Sequence, residues 1–400
     1  MFDLINIARD RVDGYEAFRT PALIRTAAGR LLCAYEAYDN VDDAVCPPTI
    51  RGRGCDAILL RGSDDLGNTW SDAVSIDISA HSDTLRYGSP SFIYDQVTGR
   101  IFLMTALFTE VGFRESAAST DVGQPDVLHL AVSTSDDEGL TWRSSVITAQ
   151  VTGGRGWRAR VAAPGHGIQL SRGMFSGRLI QPAVILDAEG RSRFTAICSD
   201  DHGTTWWAGD PVGDNAVSCG IVELSDGRLL LRGLSRLGDS TAMVAYSRDG
   251  GRTWEDPIVR ESSIWEIESD AVEPAFPAAP DGTPQAQIMI RPRMVQYPDR
   301  TRAGFLSVSL DNQQHFGAEL LVSEVSTLWP DLASIPEYRV LTRVFQGPKG
   351  IEFQRVPFAA LGIDEYALGW LNSREVQDTW LQENGLVQVP KVSTETVARR

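Results

Sequence analysis

Apolar positions fall in short blocks along the whole 400-residue chain, and turn residues break the blocks at regular places. Apolar runs flank Gly-Arg turns at Gly29-Arg30-Leu31-Leu32, Gly99-Arg100-Ile101-Phe102, Gly177-Arg178-Leu179-Ile180 and Gly227-Arg228-Leu229-Leu230, each reading as strand, tight turn, strand. More β-rich sequence follows each of them and ends at a second signal. It reads Ser63-Asp64-Asp65-Leu66-Gly67-Asn68-Thr69-Trp70, Ser135-Asp136-Asp137-Glu138-Gly139-Leu140-Thr141-Trp142, Ser199-Asp200-Asp201-His202-Gly203-Thr204-Thr205-Trp206 and Ser247-Arg248-Asp249-Gly250-Gly251-Arg252-Thr253-Trp254. All share Ser-x-Asp-x-Gly-x-Thr-Trp. A fifth, eroded copy, Ser309-Leu310-Asp311-Asn312-Gln313-Gln314-His315-Phe316, keeps the Ser, the Asp and an aromatic. Spacings of roughly 50 to 70 residues mark one supersecondary unit repeated along the chain.

Each box makes sense as a hairpin turn. Asp accepts hydrogen bonds from backbone N–H groups of its own loop, Gly permits positive φ, Thr opens the next strand and Trp buries a large apolar surface. Those acids are therefore consumed in turns and are poor catalytic candidates. The Arg of each Gly-Arg turn is expected to be a surface turn residue. One unit is a four-stranded antiparallel sheet, a propeller blade, with the Gly-Arg hairpin joining early strands and the box joining late ones. The count predicts an all-β, six-bladed β-propeller forming one domain over residues 1–400. Five units carry a box or its remnant, and Gly350 through Trp370 reads as the inner strands of a sixth. The strand around Leu4 to Ala8 is expected to close that last blade. The tail from about Val376 reads as peripheral, and the long loops Val41 to Gly54 and Phe113 to Gln124 as rim or lid.

Composition adds limits. Hydrophobic content of 42% with 22% charge suits a large β core, and a net charge of −16 opposes nucleic acid and anionic membranes as partners. An anionic ligand needs a local basic pocket. No stretch is long and apolar enough to span a membrane, and Met1-Phe2-Asp3-Leu4 lacks the start of a signal peptide. That implies cytoplasmic residence, or a secreted protein whose signal has been trimmed. Cys33, Cys46, Cys55, Cys198 and Cys219 are odd in number and include no CxxC pair, so most are expected as free thiols, with no structural metal and no cofactor implied.

Several segments together resemble the sialidase (neuraminidase) superfamily of six-bladed Asp-box propellers, from about residue 14 to residue 370. Phe18-Arg19-Thr20-Pro21-Ala22-Leu23 is similar to that family's aromatic-Arg-Ile-Pro-Ala-Leu motif. Pro164-Gly165-His166-Gly167-Ile168-Gln169-Leu170 resembles its third-blade signature, and Glu223-Leu224-Ser225-Asp226-Gly227-Arg228 its fourth-blade hairpin. The resemblance implies a glycoside hydrolase whose partner is a small acidic sugar or glycan terminus, with the sugar carboxylate clamped by three arginines; it leaves the oligomeric state open. A guanidinium matches a carboxylate through two parallel charge-assisted bonds. Arg19 matches the first arginine. The third falls near Arg300 and Arg302, with Arg302 favoured. The second matches Leu234, leaving Arg232 or Arg236, two residues either side, to serve through a bulge or shift.

The remaining chemistry departs from the family. A tyrosine nucleophile paired with a glutamate base is implied, yet the glutamate position falls on Ser218. The tyrosine position, at the start of the last inner strand, is expected within Phe353-Gln354-Arg355, where Arg355 is a further substrate-binding candidate. The general acid position reads Arg51-Gly52, with Asp42, Asp43 and Asp56 the nearest carboxylates and Asp56 the catalytic candidate among them. Glu268 and Asp270 lie in a segment whose family counterpart borders the active site. Glu36 matches a common polar position, Glu352 adjoins the expected tyrosine position, and Glu268, Asp270 and Glu36 are the further catalytic candidates. Three readings stay open: a sialidase-type glycosidase; an inverting hydrolase or a lyase, for which His166 and Tyr87 are conceivable bases; and a non-catalytic propeller binding a ligand at its mouth.

Overall fold

The computed structural model describes residues 2–43, 54–76, 85–109, 111–237, 239–261, 288–296, 302–309, 316–317, 319–325 and 328–363. Six small sheets form a ring, a six-bladed β-propeller. The first blade runs outward through Ala17–Arg25, Leu31–Tyr38, Ala57–Ser63 and Val74–Ser75. Three more repeat that plan and begin at Arg86–Tyr94, Ala159–Ala162 and Ala216–Glu223. The fifth is described for Met289–Gln296, Arg302–Ser309 and Leu320–Ser323.

The sixth blade corrects one expectation. Its innermost strand is Leu328–Ile335, followed by Val340–Gly347, and Gly350–Pro357 is the third strand, not an inner one. Leu4–Arg9 then pairs antiparallel with Gly350–Pro357 and closes the ring, as the sequence predicts. Residues from 364, including Trp370 and the tail from Val376, lie outside the described residues.

Middle strands such as Leu31–Tyr38, Ile101–Phe108 and Leu179–Leu186 are buried at every position. Each is covered on both faces by neighbouring blades, so the sequence shows continuous apolar runs there in place of alternation. Outermost strands such as Arg143–Val146 are exposed throughout.

The four complete boxes share one geometry. In the first, Ser63 Oγ donates to Asp65 Oδ1 (2.9 Å) and accepts from Gly67 N (2.9 Å), while Asp65 accepts from Thr69 N (2.8 Å) and Thr69 Oγ1 (2.6 Å). Each box docks on the preceding blade: Trp70 lies edge-on to Phe353 at 5.3 Å and Trp206 to Phe102 at 5.5 Å. The boxes thus staple the ring.

The Gly-Arg turns are not idle surface either. Arg30, Arg100 and Arg178 pair with Asp64, Asp136 and Asp200, the second residue of the box in the same blade. Arg178 is only 7% exposed and stacks on Phe175 and Trp207 at 4.4 and 4.9 Å. In the fourth box that second residue is Arg248, and Arg228 turns back to Asp226 instead.

This turn chemistry predicts an acid-dependent loss of stability. The Thr hydroxyls, then the Thr N–H groups, hold the carboxyls of Asp65 and Asp137 down to about 2. A depressed folded pKa contributes stability that is present above the unfolded value and lost as pH falls through the folded one. The urea midpoint should therefore drop between about pH 4 and about pH 2, and less steeply in Asp65→Asn/Asp137→Asn. An unchanged slope in that variant would contradict the assignment.

Candidate functional site

Gly-Arg hairpins and boxes share one end of the ring. Inner strands begin at the other end, the mouth, and there the chain is irregular. Pairing slips between Arg19 and Ala22, Gly88 and Ser91, Ala216 and Ser218, and Leu328 and Asp331. Beside or within these bulges Thr20, Ser89, Asn215 and Trp329 hold φ of 50°, 52°, 56° and 48°. Non-glycine residues in that region are strained, and such positions cluster at functional sites. Pro21, which lacks an N–H, fits a strand only at such a bulge.

Glu36 ties two of these bulges together. Its carboxylate accepts from Thr20 Oγ1 (2.7 Å), Tyr38 Oη (2.9 Å) and the Ser89 N–H (2.8 Å). It is 1% exposed, and burial pushes its carboxyl up, although these three bonds oppose the rise. The structure thus makes this catalytic candidate a clamp between the first two blades.

Arg19 stands at the mouth end of the first inner strand. Its Nη1 donates to Asp10 Oδ2 (2.9 Å) and to the Phe18 carbonyl (2.7 Å), and its side chain is 14% exposed. Asp10 also accepts from the Phe18 N–H (2.8 Å) and donates its own N–H to the Lys349 carbonyl (2.9 Å). Nε and Nη2 of Arg19 make no hydrogen bond among the described residues, and its charge also acts on Glu36.

Asp56 pairs with Arg86, at the mouth end of the second inner strand, and accepts from the Asp39 N–H (2.8 Å). The Tyr15 ring packs edge-on to Phe18 at 5.9 Å, and its phenol is pushed up by burial and then by Asp39 and Asp56. Tyr87 is pinned through its main chain to Cys55, from which it takes an N–H bond of 2.6 Å. In the loop after Phe113, Ser116 Oγ donates to the Arg158 carbonyl at 2.6 Å.

Deeper in, three blades meet. His166 Nδ1 lies 2.7 Å from Asp331 Oδ1, and the Leu23 N–H donates to Asp331 Oδ2 at 2.7 Å. Exposures of 12% for His166 and 2% for Asp331 put this pair in the interior of the ring.

A model of the BNR repeat-like domain matches residues 52–275. The chain belongs to the BNR-repeat sialidase superfamily. Among curated relatives, the sialidase of Micromonospora viridifaciens is 34% identical over 354 residues, 88% of this chain and 53% of that protein. The chain thus spans about half the length of the curated sialidases it matches. Among solved structures, a Hadza microbial sialidase superposes with a TM-score of 0.73 at 23% identity, covering 89% of this chain and 69% of the other. A leech intramolecular trans-sialidase complexed with 2,7-anhydro-Neu5Ac gives 0.70 at 16%, covering 90% and 71%. At such identities the likeness bears on the fold alone.

The start of the last inner strand, where the resemblance implies a tyrosine, reads Leu328-Trp329-Pro330-Asp331. Phe353-Gln354-Arg355 lies instead on the third strand of that blade. Arg355 sits at the box end, where Nη1 donates to Asn68 Oδ1 at 2.5 Å beside a cavity of about 520 Å³, and so does not face the mouth. Glu352 on the same strand is buried, and burial pushes its carboxyl up. Ser218 and Leu234, which stand where base and second arginine are implied, are direct cross-strand partners.

Arg232 lies 5.7 Å over Phe316, the aromatic of the eroded box, and Arg291 covers the same ring at 3.9 Å. That places Arg232 towards the box end. Arg236 belongs to the mouth half of Leu229–Leu237 and is described for its backbone only. Arg302 opens Arg302–Ser309 at the mouth end. Asp42 is exposed. Glu268, Asp270, Arg300, Cys46 and Arg51-Gly52 lie outside the described residues, as does the side chain of Asp43. Sequence reasoning missed Asp10, Asp39, Tyr15 and Arg86. Only the Arg-x-Pro context of Arg19 hinted that a partner was needed.

Proposed function

We propose that this sialidase-fold chain is a glycoside hydrolase acting on a carboxylate-bearing sugar bound at the mouth. Arg19 carries the reading: Asp10 holds one side of its guanidinium and leaves Nε and Nη2 towards a ligand. A bidentate carboxylate would fit that edge. Arg302, at the same end of the fifth blade, is the second cation proposed. The leech trans-sialidase of like fold is complexed with 2,7-anhydro-Neu5Ac, which supports an acidic sugar as ligand class.

A second reading concerns the chemistry. Trp329 and Ser218 stand where the family pattern implies tyrosine and glutamate, which favours an inverting hydrolase or a lyase over a covalent tyrosine intermediate. Asp56, paired with Arg86 at the rim, is then the described carboxylate proposed for proton transfer.

Arg19→Ala should weaken binding of N-acetylneuraminic acid by about 30-fold or more, as charge-assisted bonds to a carboxylate are lost. Calorimetry on wild type and variant tests this, and equal affinity in the two would remove the clamp. An aryl sialoside assay separates the two chemistries: turnover with a glycosyl-enzyme adduct would exclude the second reading.

A further inference from the structure

A cavity of about 410 Å³ opens beside Arg19 at the same end of the ring, and Asp10 is the wall they share. Its lining comes from the connection between the closing strand and the first blade, and from the hairpin that carries Lys349. Arg9, Arg11 and Lys349 converge there in a protein of net charge −16. Arg11 is matched by Glu16 at 3.2 Å, and Asp10 is engaged by Arg19 at 2.9 Å. Asp13 accepts the main-chain N–H of Arg9 at 2.7 Å, yet neither Arg9 nor Lys349 forms an ion pair among the described residues.

An anion approaching this protein meets a repulsive overall field, so a concave site where Arg9 and Lys349 stand outside any described ion pair, although Lys349 also acts on Glu352, is where a negative group would settle. The volume lies within the ordinary range of small-molecule sites, about 300 to 1,000 Å³. We propose that this cavity is a second anion subsite, which takes the neighbouring acidic residue of a polyacidic glycan whose terminal sugar sits at Arg19. This deepens the function proposed above and rests on it. Two carboxylates joined by one glycan engage the two sites as one ligand, so the second contact adds affinity at little further entropic cost.

Titration calorimetry at low salt on the full chain tests it with two probes, N-acetylneuraminic acid and a non-hydrolysable thio-linked α2,8 dimer of that sugar. Wild type should bind the dimer about tenfold more tightly than the monomer. Arg9→Ala/Lys349→Ala should lose that tenfold and bind the monomer as wild type does; both side chains are at the rim, outside the core. A dimer no tighter than the monomer, or an advantage that survives in the variant, overturns the subsite while monomer binding upholds the Arg19 reading. If neither sugar binds wild type, the Arg19 reading fails and the subsite with it.

Discussion

Gly203→Ala should cost about 3 to 5 kcal/mol, the combined effect of overpacking and of forcing a Cβ into left-handed backbone. Gly203 holds φ of 79°, and a Cβ built there would lie 2.2 Å from the Phe102 ring in the preceding blade. Phe102 is buried and braced by Trp206, so it has nowhere to move. Gly227 separates the two causes. It holds φ of 81° with nothing within 4 Å of the same Cβ, so Gly227→Ala carries backbone strain alone and should cost about 1 kcal/mol. Denaturation midpoints of both variants check this, and equal losses would show that the box does not dock against its neighbour.

Asp331→Ala should lose about 3 kcal/mol or more, because a buried carboxylate with several donors is removed and those donors stay buried. Its loss strands the Leu23 N–H, the Leu332 N–H and His166 Nδ1, which approach at 2.7, 3.1 and 2.7 Å. Three blades meet at this side chain, so unfolding should also become less cooperative. Asp331→Asn should cost less, since an amide oxygen still accepts from Leu23 and His166 can change tautomer. A loss within about 0.5 kcal/mol for Asp331→Ala, the range of surface substitutions, would refute this role.

The boxes were legible because their hydrogen bonds are short in sequence. Ser63, Asp65, Gly67 and Thr69 settle their partners within six residues, and the apolar runs between boxes report strands covered on both faces. Blade number and closure by Leu4–Arg9 follow from counting such units. The sixth blade misled because it has no box to set its phase: without that marker Gly350–Pro357 reads as an inner strand, and only the pairing of Val340–Gly347 with Leu328–Ile335 reveals the true one. Arg355 moved to the box end for the same reason.

Site residues were harder, and each case has its own cause. Arg19 was visible through Pro21, whose missing N–H marks a bulge. Glu36 looked like a candidate acid, yet its fate depends on Ser89, 53 residues away in the next blade. Asp10 gave no signal at all, since a carboxylate in a polar loop resembles any solvated acid until the ring brings Arg19 against it.

The chain by itself determined its repeat, its turns and its Asp-box propeller, because these follow from spacing and local hydrogen bonds. Tertiary structure alone decided which end of the ring each side chain faces and which charges meet. Leu23 and Asp331 are 308 residues apart, and His166 and Asp331 are 165 apart. Contacts across such separations exist only once the ring has closed, so no local pattern encodes them.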